Sequence, residues 1–366
     1  MSFYYIVFKL YIFIFIILNI NSFQYFRAYT LLSKDILFIS EEGIIKYLID
    51  TNNQITITST DDITFENENI LEFISFSQSD DGKYILCRIK NYIYIISNDD
   101  NTLIISKNIN LIENCLVDIK YYKEHNINYF IISFINEDKK IQLQKYIFSD
   151  TKVLLKAEKI KEIPNKDGTE GVSFQNGISC ELMYSNEYDN NLLICFVENN
   201  LNYLIALEFD PKNNLEFIDK TIYNNANYGA SHIKSIMTSN KYISFICYIK
   251  INFECILYNS QKKVFSDTAI LNEYFYGVPY DFELNYIKDK KDYYIYLAWQ
   301  INELYLYQYD EFLKINQKLD NDDCYSYYEI KNCNQKYSSI ILYNKDKYSI
   351  FYSCKDGGNI NLKMKQ

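Results

Sequence analysis

The sequence predicts an all-β chain: a β-propeller of six or seven four-stranded blades, closed by the chain ends. Three observations predict it. Strand formers dominate, with 38 Tyr and 24 Phe beside abundant Ile, residue types that fit a pleated, half-buried surface. Short alternating or continuous apolar runs follow one another, each ended by a turn rich in Asn, Asp or Ser. The runs group into four-stranded units whose starts recur roughly every 40 to 65 residues, which brackets the period of propeller blades. Such a unit cannot bury both faces alone. A radial array packs each sheet on the next and protects its edges.

The chain opens on MSFYYIVFKLYIFIFIILNINS, with one cation at Lys9 and an unbroken apolar run from Leu10 to Leu18. That length suits a signal-peptide core better than a membrane span, which needs about 20 apolar residues. Residues 1–22 are therefore expected to be a cleaved signal peptide, although Ile20 fits a cleavage site poorly. An uncleaved anchor is the alternative. Residues 23–366 are expected to form a single propeller domain.

Segment Ile36–Thr60 (ILFIS, IIKYLID, QITITST) reads as three strands lacking a first partner. The next unit starts with ISFSQSDDGKYILCRI, Ile74–Ile89. A strand ends near Ser77, Asp80-Asp81-Gly82 turns, and a second strand starts at Lys83. Asp caps such a turn through its side chain and Gly supplies a positive φ. NYIYIIS and Leu103–Ser106 complete four strands. Further units begin at Asn114, Ile178, His232, Phe282 and Cys324. The last, with SSIILYN and YSIFYSC, lacks an obvious fourth strand. Complementary shortfalls at the two ends suit closure of a ring by the termini. With only 9 Gly and 3 Pro, left-handed turn positions fall to Asn and Asp.

The stretch ISFSQSDDGKYILCRIKNYIYIIS resembles the strand–turn–strand of WD40-like and TolB-like β-propellers. The likeness covers about one blade, has an extra residue before the turn, and lacks the Gly-His and Trp-Asp signatures of WD40 blades. It implies architecture and no activity. The Asn, Lys, Ile and Tyr bias is similar to that of secreted or surface proteins of AT-rich protist parasites. Clusters of Asn and Lys are accordingly read as codon supply before function.

The nine cysteines fall on the strands in a pattern. Cys180 and Cys195 lie on consecutive strands of one unit, nearly opposite each other, and Cys247 and Cys255 flank another turn. Both pairs are expected to be disulfides. One bridge is expected among Cys324, Cys333 and Cys354, and Cys87 with Cys115 is a further candidate pairing. Free buried thiols in a reducing compartment are the alternative. No CxxC occurs, and a zinc site is not expected.

Catalytic chemistry is sparse. His125 and His232 are the only histidines; the first reads as an exposed turn residue, the second as a strand residue. No GxSxG nucleophile motif exists. The oxygen-rich turns Ser97–Asn101 and Asp320–Asp323 lack EF-hand spacing and read as solvated turns. Trp299 and the Tyr-rich strands read as core. Pro164–Gly171 (PNKDGTEG) is the longest Gly-bearing connector. A net charge of −10 argues against nucleic acid, whose binders are cationic. The absence of any Asn-x-Ser/Thr sequon leaves the surface open to protein contacts.

The leading expectation is an exported, disulfide-stapled, non-enzymatic binding module, secreted or at the cell surface. It would engage an extracellular protein or glycan, need no cofactor, and meet a membrane only if the N-terminal segment is retained. A propeller hydrolase or lyase using unidentified carboxylates and a membrane-anchored structural scaffold stand as alternatives.

Overall fold

The computed structural model describes residues 26–31, 33, 35–40, 43–48, 53–59, 74–89, 92–108, 117–164, 170–171, 177–198, 203–223, 231–249, 253–266, 271–273, 281–287, 292–298, 304–309, 315–318, 337–344, 347–354 and 363–364. Among them there are strands and turns and no helix. The expected signal segment lies outside the described residues.

The strands form antiparallel sheets in chain order. The first sheet is β1 (Phe26–Thr30), β2 (Ile36–Ser40), β3 (Gly43–Leu48) and β4 (Asn53–Ser59). The second is β5 (Ile74–Gln78), β6 (Tyr84–Ile89), β7 (Tyr92–Ser97) and β8 (Thr102–Asn108). The third is β9 (Val117–Glu124), β10 (Ile127–Ile135), β11 (Ile141–Ser149) and β12 (Lys152–Lys161). A small ladder, β13 (Ile163–Pro164) with β14 (Glu170–Gly171), follows within the Gly-bearing connector. The fourth sheet is β15 (Ile178–Ser185), β16 (Asn190–Glu198), β17 (Leu204–Asp210) and β18 (Glu216–Tyr223). The fifth is β19 (Ser231–Met237), β20 (Ile243–Ile249) and β21 (Phe253–Asn259), whose outer edge is split between β22 (Val264–Phe265) and β23 (Leu271–Glu273). The sixth is β24 (Asp281–Ile287), β25 (Asp292–Ala298), β26 (Leu304–Tyr309) and β27 (Ile315–Lys318). Last come β28 (Tyr337–Asn344), β29 (Lys347–Cys354) and β30 (Lys363–Met364).

One expectation is corrected here. The first sheet does not lack its first strand, because FRAYT at Phe26–Thr30 pairs with Ile36–Ser40 in full register. The run is short and carries an Arg, which hid it from a search for apolar alternation.

The second, third and fourth sheets are packed on their neighbours through both faces. In β16, Leu192, Ile194 and Phe196 join the core shared with the fifth sheet, while Leu193, Cys195 and Val197 join the core shared with the third. This is why LLICFV is continuously apolar rather than alternating. Equivalent cores lie between the second and third sheets, with Ile95, Phe130 and Phe148, and between the first and second, with Leu37, Ile44 and Ile85. The first strands of successive sheets are spatial neighbours, β5 beside β9, β9 beside β15, and β15 beside β19. They therefore line the axis, and the fourth strands form the perimeter.

A second repeat is visible only in three dimensions. The ladder between third and fourth strands is interrupted at Ile44/Ile45, Ile95/Ile96, Lys145/Tyr146, Glu208/Phe209 and Gln308/Tyr309. A bulge adds local right-handed twist, and here it recurs at one place in five sheets.

The Asp80-Asp81-Gly82 turn between β5 and β6 is built as the residues predict. Gly82 has φ 73° and donates its N–H to the Ser79 carbonyl at 2.8 Å. Asp81 Oδ1 accepts from Ser79 Oγ at 2.6 Å and from the Lys83 N–H at 3.1 Å. Those two hydrogen bonds hold the Asp81 carboxyl below its ordinary range, Ser79 contributing most. Elsewhere Asn101, Asn126, Asn214 and Asp189 take positive φ, as do His125, Lys139, Leu215 and Lys263.

Candidate functional site

The inner strands carry polar residues at alternate positions, against the apolar background of the strands behind them. These residues bridge neighbouring sheets in a repeated way. Ser77 Oγ accepts the Tyr121 N–H at 3.0 Å, Asp118 Oδ2 accepts the Cys180 N–H at 2.6 Å, and Ser179 Oγ accepts the Ser235 N–H at 3.0 Å. An inner strand is the free edge of its sheet, and its outward N–H groups need partners. The second, third and fourth sheets each supply one to the next.

Between the third, fourth and fifth sheets this ladder becomes an ionic cluster. Lys120 Nζ lies 3.4 Å from Glu181 Oε1 and 3.7 Å from Asp118 Oδ2. Ser235 Oγ donates to Glu181 Oε1 at 3.1 Å, and the Ser179 and Ser235 hydroxyls are 2.9 Å apart. The side chains of Lys120, Asp118 and Glu181 are 22%, 14% and 11% exposed, so solvent reaches them only narrowly. Burial raises the Glu181 carboxyl from 4.5 to about 7, with the Asp118 charge adding to it against the pull of Lys120. Burial likewise raises Asp118. Lys120 is held above its ordinary value, because its two carboxylates outweigh its own burial. Lys120 therefore keeps its proton, while Glu181 gains or loses one near neutral pH, and each group is already engaged by a neighbouring strand. Sequence reading missed this cluster. Its signal was present: Ser75-x-Ser77, Asp118-x-Lys120 and Ser179-x-Glu181 alternate polar residues on the first strand of three units.

A second set of polar ties joins the sheets nearer the perimeter. Lys46 Nζ donates to the Asn98 carbonyl at 3.1 Å, Asn98 Oδ1 at 2.5 Å and Asn101 Oδ1 at 2.8 Å. Lys107 Nζ donates to the Val153 carbonyl. Lys145 Nζ donates to the Pro211 carbonyl at 2.6 Å and sits 4.2 Å from the Tyr129 ring centroid. At the next interface the polarity reverses: Lys263 lies 3.0 Å from Asp219 and 3.7 Å from Glu208, whose other oxygen accepts from Tyr258 Oη at 2.6 Å. In all four interfaces a third or fourth strand meets the turn between the third and fourth strands of the following sheet or, at Val153, the start of that fourth strand. The oxygen-rich turn Ser97–Asn101 therefore holds an ammonium group, that of Lys46. Asp320–Asp323 lies outside the described residues.

Cys247 and Cys255 face each other across β20 and β21 and are bonded, with Cα atoms 4.1 Å apart. Cys180 and Cys195 are also directly opposite, on β15 and β16, but stand as two buried thiols with no bond between them. Cys87 is a buried free thiol, which does not match its candidate pairing with Cys115. Cys115, Cys324 and Cys333 lie outside the described residues, and Cys354 ends β29 with its side chain undescribed. His125 is an exposed turn residue with φ 48°, and His232 lies in β19. Trp299 is outside the described residues. Among the described residues no group of three metal-ligating side chains is assembled.

Among the described perimeter strands, β12 differs from β8 and β18. The outer strands β8 and β18 are largely half-buried, whereas β12 exposes most of its ten residues. Leu154, Leu155 and Ile160 are 50%, 49% and 49% exposed. Lys152, Lys156, Lys159 and Lys161 share the strand with one acid, Glu158, whose Oε1 accepts from Gln142 and Gln144. Beyond Val153, no strand pairs with the outer edge of β12 among the described residues.

No protein-family model matches the chain, and no curated protein matches it. Solved structures do. The WD40 domain of SCAP from fission yeast is similar at 8% identity with a TM-score of 0.51, over 94% of this chain and 87% of that one. The β-propeller domain of Cps50 (Swd1) from Myceliophteria thermophila is similar at 8% identity with a TM-score of 0.57, over 93% of this chain and 96% of that one. At such identity the likeness concerns the fold, and that fold is a β-propeller.

Proposed function

We propose that the chain is an exported, non-enzymatic β-propeller that binds a protein through the outer edge of its third sheet. The observation that carries this reading is β12: a ten-residue strand with an open edge, three exposed aliphatic side chains and a local charge of opposite sign to the chain's −10. An unpaired edge offers backbone donors and acceptors to an added strand, and alternate side chains set its specificity. The occupant is an extended segment of an extracellular protein in which acidic and apolar residues alternate. Its carboxylates meet Lys152, Lys156 and Lys159, and its apolar residues cover Leu154, Leu155 and Ile160. The four lysines repel a second copy of the same strand, which disfavours self-pairing.

Export is supported by residues 1–22, read as a signal peptide, and by the Cys247–Cys255 bond, since disulfides persist in oxidising compartments. Residues 23–366 form the propeller, with seven blades. Six sheets of four or five strands and one of three support that count, and β1 lying beside β28 supports closure by the chain ends.

A photo-crosslinking residue in place of Leu155, in the protein on its native cells, tests the docking edge. The expected adduct is one protein, attached through an acidic extended segment. It disappears when Lys156→Glu and Lys159→Glu are combined, while the thermal midpoint is unchanged. An adduct that survives the charge reversal, or one formed with a glycan, refutes the reading.

A further inference from the structure

We propose that Cys180 and Cys195 form a second cross-strand disulfide, closed during folding and sealed once the third and fourth sheets pack. The proposal rests on the export reading, which supplies the oxidising compartment. Three observations carry it.

The first is register. Cys180 pairs with Cys195 across β15 and β16, as Cys247 pairs with Cys255 across β20 and β21. The second is the class of pair. The Cys180 N–H donates to Asp118 on the neighbouring sheet, so it points away from β16. In an antiparallel ladder that marks a non-hydrogen-bonded pair, where Cα atoms approach to about 4.5 Å and side chains are closest. The bonded pair, with its Cα atoms 4.1 Å apart, belongs to the same close class. The third is the surroundings. Both thiols are wholly buried, in the core that includes Ile131, Leu193 and Leu207. Burial raises the Cys180 thiol well above its ordinary value, and the adjacent Cys195 thiol pushes it the same way. Thiolate, the reacting form, is suppressed there. Reaction therefore precedes packing, while β15 is still open to solvent.

The chemistry needs a disulfide oxidant, glutathione disulfide or a protein disulfide of the secretory pathway. The Cys180 thiolate attacks one sulfur of the oxidant, forms a mixed disulfide and expels one thiolate. The Cys195 thiolate then attacks the Cys180 sulfur and expels the second. Two thiol protons pass to the expelled thiolates, the oxidant gains two electrons, and one S–S bond joins β15 to β16. The product carries no charge and no S–H donor, which suits the apolar core, and it gives up the weak Cys195 Sγ–Ser133 Oγ contact of 3.8 Å.

The test is peptide mapping of full-length protein secreted by eukaryotic cells, alkylated in denaturant without reductant. The expected result is two linked pairs, Cys180–Cys195 and Cys247–Cys255, each two hydrogens lighter than its dithiol. With the protein folded, dithiothreitol should reduce Cys180–Cys195 at least about a hundredfold more slowly than in denaturant, because access limits exchange. Alkylated Cys180 and Cys195 beside a linked Cys247–Cys255 overturn the proposal and leave export standing. Alkylation of all four overturns both. Equal reduction rates, folded and unfolded, refute the sealing.

Discussion

Replacing Glu181 with Gln is expected to stabilise the protein above neutral pH and to leave it unchanged below pH 4.5. The carboxyl is raised from 4.5 in the unfolded chain to about 7 in the folded one. An acid whose folded pKa is raised binds its proton more tightly in the native state. Folding is then unpenalised below the unfolded value and loses stability as pH climbs from 4.5 through 7. At about 1.4 kcal/mol for each pH unit, the full loss is on the order of 3 kcal/mol. The side chain is 11% exposed, so solvent screening trims this figure only slightly. Gln keeps the shape of the protonated acid and can still accept from Ser235 and Lys120. Urea denaturation of wild type and Glu181→Gln at pH 4.5, 6 and 8 checks it. The two curves should coincide at pH 4.5 and separate progressively, the variant being more stable by about 2 to 3 kcal/mol at pH 8. Parallel pH profiles would refute the burial argument. A variant less stable than wild type at pH 8 would mean that the Lys120 pair outweighs the cost of burying the charge.

Lys145→Met should change stability by less than about 1 kcal/mol, because burial lowers the ammonium more than Glu124 and Asp210 support it. Lys145→Ala should cost about 3 kcal/mol, since it also opens a hole beside Tyr122 and Tyr129; denaturation of both variants tests the contrast. Cys247→Ala with Cys255→Ala should cost about 2.5 kcal/mol, the chain-entropy value for cysteines 8 residues apart, read as a fall in denaturation midpoint. Gly82→Ala should cost about 1 kcal/mol by thermal melting, because φ 73° places a Cβ in the disfavoured left-handed region.

Much of the architecture was legible from residues because a blade leaves a local trace. Ile74, Ile178 and Asp281 begin first strands at or within one residue of where turn signals and apolar runs place them. Cys180 with Cys195 and Cys247 with Cys255 fall opposite each other as turn counting predicts, although only the second pair is bonded. The bulge between third and fourth strands was not legible. It depends on one extra residue in a run such as KVLLKAEKIK, and a single insertion does not disturb a short apolar pattern. The axial cluster was half legible. Alternating polar residues on the first strands were there to see, but pairing Asp118 with Cys180 needs the placement of two sheets 62 residues apart.

The compositional bias acquires a different meaning in this light. Lys and Asn abundance reads first as codon supply, yet Lys46 with Asn98 and Asn101, and Lys145 with Pro211, repeat one tie at separate interfaces. A long flexible amine is suited to that place. It spans from a third strand to a neighbouring turn, carries three donors, and lets its aliphatic stem lie on aromatic rings such as Tyr129. Turn carbonyls and Asn side chains are the acceptors a chain with 3 Pro and 9 Gly necessarily presents at its left-handed turns. The same bias that removes Gly from the turns thus supplies the oxygens that lysines clasp. The lysines of β12 stand outside this scheme in one respect: Lys152, Lys156 and Lys159 lie on an outer edge that no strand covers among the described residues. Interblade ties use up the cations at the sheet interfaces, and what remains concentrated on one open strand is what a partner can read.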